Sequence, residues 1–179
     1  MINEKIIAAV RTQSEFNMAL GSECNVIFLL SSSILTLGEM LKKCHELNKK
    51  LFVHIDLTEG IGKDKAGIKL LKKMNIDGII STRTNLIKFA KEEGIYTVQR
   101  FFVVDSKSLS TTVEAALQSK CDVIEIMPGI LPKVIKYLTN ELDIPVLAGG
   151  LIETEEEIIS AVSNGALTVS TGKSEFWGR

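Results

Sequence analysis

The chain has 179 residues, of which 45% are hydrophobic and 24% charged, with a formal net charge of −1. That length suits one domain able to bury a core, residues 1–179 taken as a single unit. A near-neutral balance excludes a general electrostatic pull toward nucleic acid or anionic lipid. No run approaches the roughly 18 apolar residues of a membrane helix, and the opening MINEKIIAAV has an acid and too short an apolar run for a signal peptide. Cys24, Cys44 and Cys121 are odd in number and lack a CxxC pair, which suits reduced thiols in a cytoplasmic protein.

In chain order, short apolar runs recur at KIIAAV (5–10), NVIFLL (25–30), LFVHID (51–56), DGIIS (77–81), IYTVQRFFVV (95–104), DVIEIM (122–127), IPVLAG (144–149) and ALTVS (166–170). Most are nearly continuous in hydrophobicity, as expected for parallel strands covered on both faces. The intervening segments show helical spacing. In KAGIKLLKKMN, Ile68, Leu71 and Leu70 are expected on one stripe and Lys65, Lys69, Lys72 and Lys73 away from it. NLIKFAKEEG offers Asn85 as an N-cap and Gly94 as a stop. Thr36 with Glu39 and Thr154 with Glu157 have the spacing of capping boxes.

Eight strands alternating with helices predict an α/β fold, a compact (β/α)8 TIM-type barrel. Such barrels usually need about 200 residues or more. Some helices are therefore expected to be shortened or missing, with the segment from Arg11 to Cys24 and the one after Phe102 as the places. A flavodoxin-like open sheet would leave two or three strands unexplained.

Ligands of such barrels sit at the C-terminal strand ends. The candidates are Ser31–Ser33, the stretch His54–Asp64, Ser81-Thr82-Arg83, Gln99 and Arg100, Glu125 with Met127-Pro128-Gly129, Gly149-Gly150, and Ser170-Thr171-Gly172. The last two strand ends fit a phosphate site: Gly149, Gly150 and Gly172 let backbone N–H groups approach an anion, and the Ser170 and Thr171 hydroxyls could donate to it. Glycines in tight turns are the plainer reading.

The stretch LFVHIDLTEGIGKDKAG resembles a nucleotide loop only superficially, since Leu57 stands where a Walker motif needs glycine and Asp64 follows Lys63. His54, Asp56 and Glu59 are chemically reasonable metal ligands, but only two would converge, so no metal is expected. Acid–base work by His54, Asp56, Glu59 or Glu125 is open on chemistry alone, yet no nucleophile paired with a base is visible, so no catalytic residue is assigned. Arg83 could grip a phosphate or carboxylate. Arg100 is read as pointing inward with Val98 and Phe102, its partner being Glu125 or a ligand. From Lys63 to Lys91 there are eight Lys or Arg against two acids, and from Asp105 to Glu157 ten acids against four lysines. The split suggests one basic side, or simply two solvated helix faces.

The runs HIDLTEGIGKDKAGIKLLKK, IDGIISTRTNLIKFAKEEG, TVQRFFVVDS, VIEIMPGILPKVI, IPVLAGGLI and GALTVST together resemble the glycerol uptake operon antiterminator family. The resemblance runs in order from about Phe52 to Trp177 and is weaker before Asn25. It implies a barrel that binds glycerol 3-phosphate and acts without a cofactor on the leader of glycerol-utilisation mRNA, letting transcription pass a terminator. A homo-oligomer is left open. On this reading Gly149, Gly150, Ser170, Thr171 and Gly172 hold the phosphate. His54, Asp56, Glu59, Arg83, Arg100 and Glu125 offer polar contacts to the polyol, and Gly60, Gly62 and Lys63 form a mobile lid within Thr58–Lys63. The weak RNA candidates are Lys65, Lys69, Lys72, Lys73 and Lys88. The alternative is a small barrel enzyme, a synthase or isomerase, acting on a phosphorylated metabolite.

Overall fold

A computed structural model describes Ile2 and residues 5–178. Eight of its strands carry the continuous apolar runs: β1 (Ile6–Val10), β2 (Val26–Leu29), β4 (Lys50–His54), β6 (Gly78–Ser81), β7 (Tyr96–Phe102), β8 (Val123–Met127), β9 (Val146–Gly149) and β10 (Thr168–Thr171). All are parallel, and β10 pairs back onto β1 to close the barrel. The helices are α1 (Gln13–Leu20), α2 (Ile34–Glu46), α3 (Lys65–Lys73), α4 (Thr84–Glu92), α5 (Ser106–Ser119), α6 (Pro132–Glu141) and α7 (Glu155–Ser163). Two residue pairs, β3 (Ser32–Ser33) and β5 (Thr58–Glu59), form a separate miniature sheet above the barrel.

Alternation along each strand divides the apolar residues into two cores. Ile7, Val26, Phe28, Phe52, Ile80, Val98, Val123 and Leu147 fill the barrel. The larger cluster, including Leu51, Val53, Ile79, Ile124 and Val169, packs beneath the helices. Gly78 belongs to the inner set for a steric reason: a Cβ there would lie 2.3 Å from the Phe52 ring. At the opposite end from the site, Asp77 and Asp122 accept from the backbone N–H groups of Leu51 and Thr97, at 2.9 Å each, and so tie neighbouring strands.

The chain fits a full barrel because its helices are short, 8 to 14 residues among those described. Of the two places expected to hold short or missing helices, the first holds a short one of eight residues and the second the longest of those described. The Arg11–Cys24 segment contains α1, opened by a Thr12–Glu15 capping box. The segment after Phe102 contains α5, the 14-residue helix, capped by Asp105 and Ser108. The shortened unit follows β10, where only a 3-10 turn, Ser174–Phe176, remains. Trp177 then closes that corner, buried and donating from Nε1 to the Thr171 carbonyl at 2.9 Å. Thr154–Glu157 caps α7 as expected. Thr36 does not cap α2, which begins earlier, at Ser33, and Asn85 lies inside α4. Leu70 is exposed while Ile68 and Leu71 are buried, so the apolar stripe of α3 is narrower than expected.

Candidate functional site

At the C-terminal mouth, the ends of β9 and β10 border a cleft of about 380 Å³. Its floor is Ala9, Leu30, Met127 and Ser170, all inward-facing residues of the barrel, and its walls include Gly150, Gly172 and Lys173. Gly150 and Leu151 both have positive φ, +72° and +59°, which turns the chain sharply after β9. Arg11, at the end of β1, completes the wall, with Nη1 4.0 Å from where a Cβ on Gly172 would stand. Sequence reasoning missed Arg11 and Lys173. The available signals were a cation directly after the first apolar run and a lysine directly after Ser-Thr-Gly.

The two hydroxyls expected to face an anion are already donating within the protein. Ser170 gives its proton to Glu125 Oε1 at 2.6 Å, and Thr171 gives its own to the Ile152 carbonyl at 2.8 Å. Gly149 also has a different reason for being glycine: a Cβ there would stand 2.5 Å from Glu125 Oε1 and 2.6 Å from Ser170 Oγ. It makes room for the carboxylate and hydroxyl. What this end presents to the cleft is therefore two cations, the Glu153 carboxylate and glycine backbone.

Directly beneath lies a buried polar layer. Arg100 and Glu125 are register partners on β7 and β8, and Arg100 Nε donates to Glu125 Oε2 at 2.7 Å. Glu125 is fully buried and Arg100 nearly so. Phe102, expected inward with Arg100, is exposed at the last position of β7. His54 points into the same layer, 4% exposed, with its Nε2 3.9 Å from Asp56 Oδ2. Burial first, and the Arg100 guanidinium second, push its pKa down to about 4, so the imidazole is neutral near pH 7.

Asp56 has another role. At the β6 end its carboxylate accepts from Ser81 Oγ (2.9 Å), Thr82 N (2.7 Å) and Thr82 Oγ1 (3.0 Å), with Arg83 Nε 3.7 Å away. Asp56 and Arg83 thus bind each other's neighbourhood. The loop beyond is anchored at both ends: Ser32 Oγ bonds Thr58 Oγ1 at 3.0 Å, and Asp64 caps α3 through the Gly67 N–H. Lys63 Nζ donates to the Thr58 carbonyl within the same loop, and burial lowers its pKa. Gly60 has φ +75°, and a Cβ there would strike Ile34 Cγ2 at 2.5 Å. Glu59 sits exposed on β5, paired in register with Ser33. The structure therefore brings His54, Arg100, Glu125, Gly149 and Ser170 together. Glu59, Gly60, Gly62 and Lys63 stand apart on the loop.

On α3 and α4, Lys65 pairs with Glu92 at 3.2 Å and lies over the Phe89 ring, and Lys72 reaches the Gly94 carbonyl at 3.5 Å. Lys69 and Lys73 are exposed and Lys88 half-buried. The three cysteines are buried and not joined in disulfides, Cys44 being pushed up to about 12 by burial. Among the described residues, no group of three or more His, Cys, Asp or Glu is placed to hold a metal, and no helix is long and apolar enough to cross a membrane.

Comparison with known proteins agrees with this fold. The protein is 37% identical over 173 residues to the uncharacterised protein YgcP of Escherichia coli, covering 96% of this chain and 91% of that one. A crystal structure of the glycerol uptake operon antiterminator regulatory protein of Listeria monocytogenes superposes with a TM-score of 0.94 at 34% identity, covering 99% of this chain and 96% of that chain. An antiterminator-related protein of Thermotoga maritima superposes at 0.88 with 33% identity, over 98% and 99% of the two chains. The profile of the glycerol-3-phosphate responsive antiterminators matches residues 6–177, and the chain belongs to that family.

Proposed function

We propose that this protein is a cytoplasmic sensor of glycerol 3-phosphate whose liganded state promotes antitermination by engaging the leader of glycerol-utilisation mRNA. The observation carrying the ligand half is the β9–β10 cleft, where Arg11 and Lys173 flank the glycine turns at Gly150 and Gly172. Two cations and closely approachable backbone suit a phosphate dianion. The buried layer below suits the hydroxyl-bearing carbons. Family membership supports both halves.

A sensor needs binding to favour one conformation, and a differential affinity of a few kcal/mol is enough. The loop Thr58–Lys63 is the proposed moving part, since it borders the mouth through the miniature sheet and turns at Gly60. The proposed RNA contacts are Lys69, Lys73 and Lys88 on α3 and α4, with Lys65 and Lys72 held partly by protein partners. Calorimetric titration with glycerol 3-phosphate, glycerol and inorganic phosphate tests the ligand half. Binding of the ester in preference to both fragments supports the reading, and turnover of the ester would favour an enzyme instead. Reversing Lys69 and Lys73 to glutamate tests the RNA half: unchanged affinity for leader RNA would move the RNA face elsewhere.

A further inference from the structure

The polar layer inside the barrel holds more hydrogen-bonding capacity than the fold consumes. Arg100 Nε is committed to Glu125, yet Arg100 Nη2 is buried without a hydrogen-bond partner among the described residues. Neither ring nitrogen of His54 has one either. Asp56 Oδ2 stands too far off, at 3.9 Å, because its carboxylate is turned to Ser81 and Thr82. Both residues are more than nine-tenths buried. One layer below, the inward positions of the same two strands are Phe52 and Val98, so apolar filling is available to this barrel and is used there. Gln99 Oε1 is also unpartnered, but Gln99 is bonded to Thr84 at the start of α4, outside the barrel interior.

This layer is hydrogen-bonded to the floor of the cleft. Ser170 lines the cleft and donates to Glu125, whose other oxygen holds Arg100. Resting on the phosphate-ester reading of that cleft, we propose that His54 and Arg100 are specificity-determining residues that bind the uncharged, hydroxyl-bearing end of the ester and discriminate against a carboxylate there. The guanidinium supplies a donor, and a neutral imidazole supplies one donor and one acceptor. A hydroxyl, itself donor and acceptor, satisfies such a set. Charge decides between a hydroxyl and a carboxylate. Arg100 is already neutralised by Glu125, and His54 is held uncharged by its burial and by Arg100. A ligand carboxylate would enter beside Glu125 with no uncommitted cation to meet it. The ligand class is thus a phosphate monoester of a small polyol, not of a hydroxy acid of the same length.

The test titrates the full chain with glycerol 3-phosphate, 3-phosphoglycerate and inorganic phosphate, in the wild type and in His54→Leu and Arg100→Lys. The wild type should favour glycerol 3-phosphate over 3-phosphoglycerate by at least about tenfold, since a polar group left unpaired in a site costs that much or more. His54→Leu, which breaks no hydrogen bond of the fold, should lose about tenfold for glycerol 3-phosphate and nothing for inorganic phosphate. Arg100→Lys keeps the charge opposite Glu125 and should show the same split. Wild-type affinity for the polyol ester in His54→Leu, or equal binding of the two esters, overturns the proposal while leaving the phosphate site standing. Failure of the wild type to bind any of the three probes instead overturns the phosphate-ester reading on which the proposal rests.

Discussion

The ends of β6 and β10 lie on opposite sides of the barrel and are built alike, yet they treat negative charge differently. Each strand has four residues, closes on a buried hydroxyl residue and continues into a cation: Ser81, Thr82, Arg83 on one side and Thr171, Gly172, Lys173 on the other. At β6 the turn is wrapped around the chain's own Asp56 carboxylate by one backbone N–H and two hydroxyls. At β10 the hydroxyl of Thr171 turns away to Ile152, Gly172 brings no side chain, and the turn opens on a cleft. Glu153, which also lines that cleft, is exposed and lies 3.8 Å from Lys173. At the β6 end the fold itself supplies an anion to the turn, whereas at the β10 end the strand's last hydroxyl goes to a backbone carbonyl. The β6 end already holds a carboxylate of the fold, and the β10 end borders a cleft.

The largest expected effect comes from the layer between the two ends. Glu125→Ala leaves Arg100 buried and unpaired and should cost about 3–5 kcal/mol in denaturant unfolding. Replacing both by apolar residues, Arg100→Met with Glu125→Leu, should recover most of that loss, because the penalty belongs to the unpaired charge.

A second effect depends on pH. The folded-state pKa of His54 is lowered from 6.5 to about 4, so the unfolded chain binds the proton more readily. The corresponding stability is fully present above pH 6.5 and is lost as the pH falls toward 4, an upper bound of roughly 3 kcal/mol. The unfolding free energy of the wild type minus that of His54→Leu should therefore fall as the pH is lowered across that window, isolating the histidine from carboxylates that titrate in both proteins. A difference independent of pH would mean that His54 is not held neutral.

The comparison itself is sharpened by one substitution at each end. Asp56→Ala should lower stability by about 1–3 kcal/mol, since it strands the Thr82 N–H and the Ser81 hydroxyl, with little change in ester affinity. Arg11→Ala should do the reverse, weakening glycerol 3-phosphate about tenfold while leaving thermal stability near wild type, because a charged hydrogen bond to phosphate is lost and Arg11 is exposed. The smallest effect, about 1 kcal/mol of stability, is expected for Thr154→Ala, which removes the cap of α7 beside the cleft.

The eight barrel strands were legible because each is covered on both faces and so reads as an unbroken apolar run. α5 was not, since its sequence SKSLSTTVEAALQS is rich in Ser and Thr and shows no broad apolar stripe. Arg11 was overlooked although the first apolar run was read to its end at residue 10; its place at the mouth follows from β1 ending one residue before it. Gly149 and Ser170 were legible as neighbours of a pocket but not in their roles, because only the fold brings Glu125 between them. Asp56 was legible as a strand-end acid. That it binds the turn after β6 depends on the pairing of β4 with β6, which no local spacing reveals.

The most direct test of the account maps glycerol 3-phosphate binding by amide chemical shifts during titration of the uniformly labelled protein. The account predicts that the largest shifts fall at Gly150, Gly172 and Lys173, with Thr82 and Arg83 little affected. Shifts concentrated at Ser81–Arg83, with the β10 end unmoved, would contradict it.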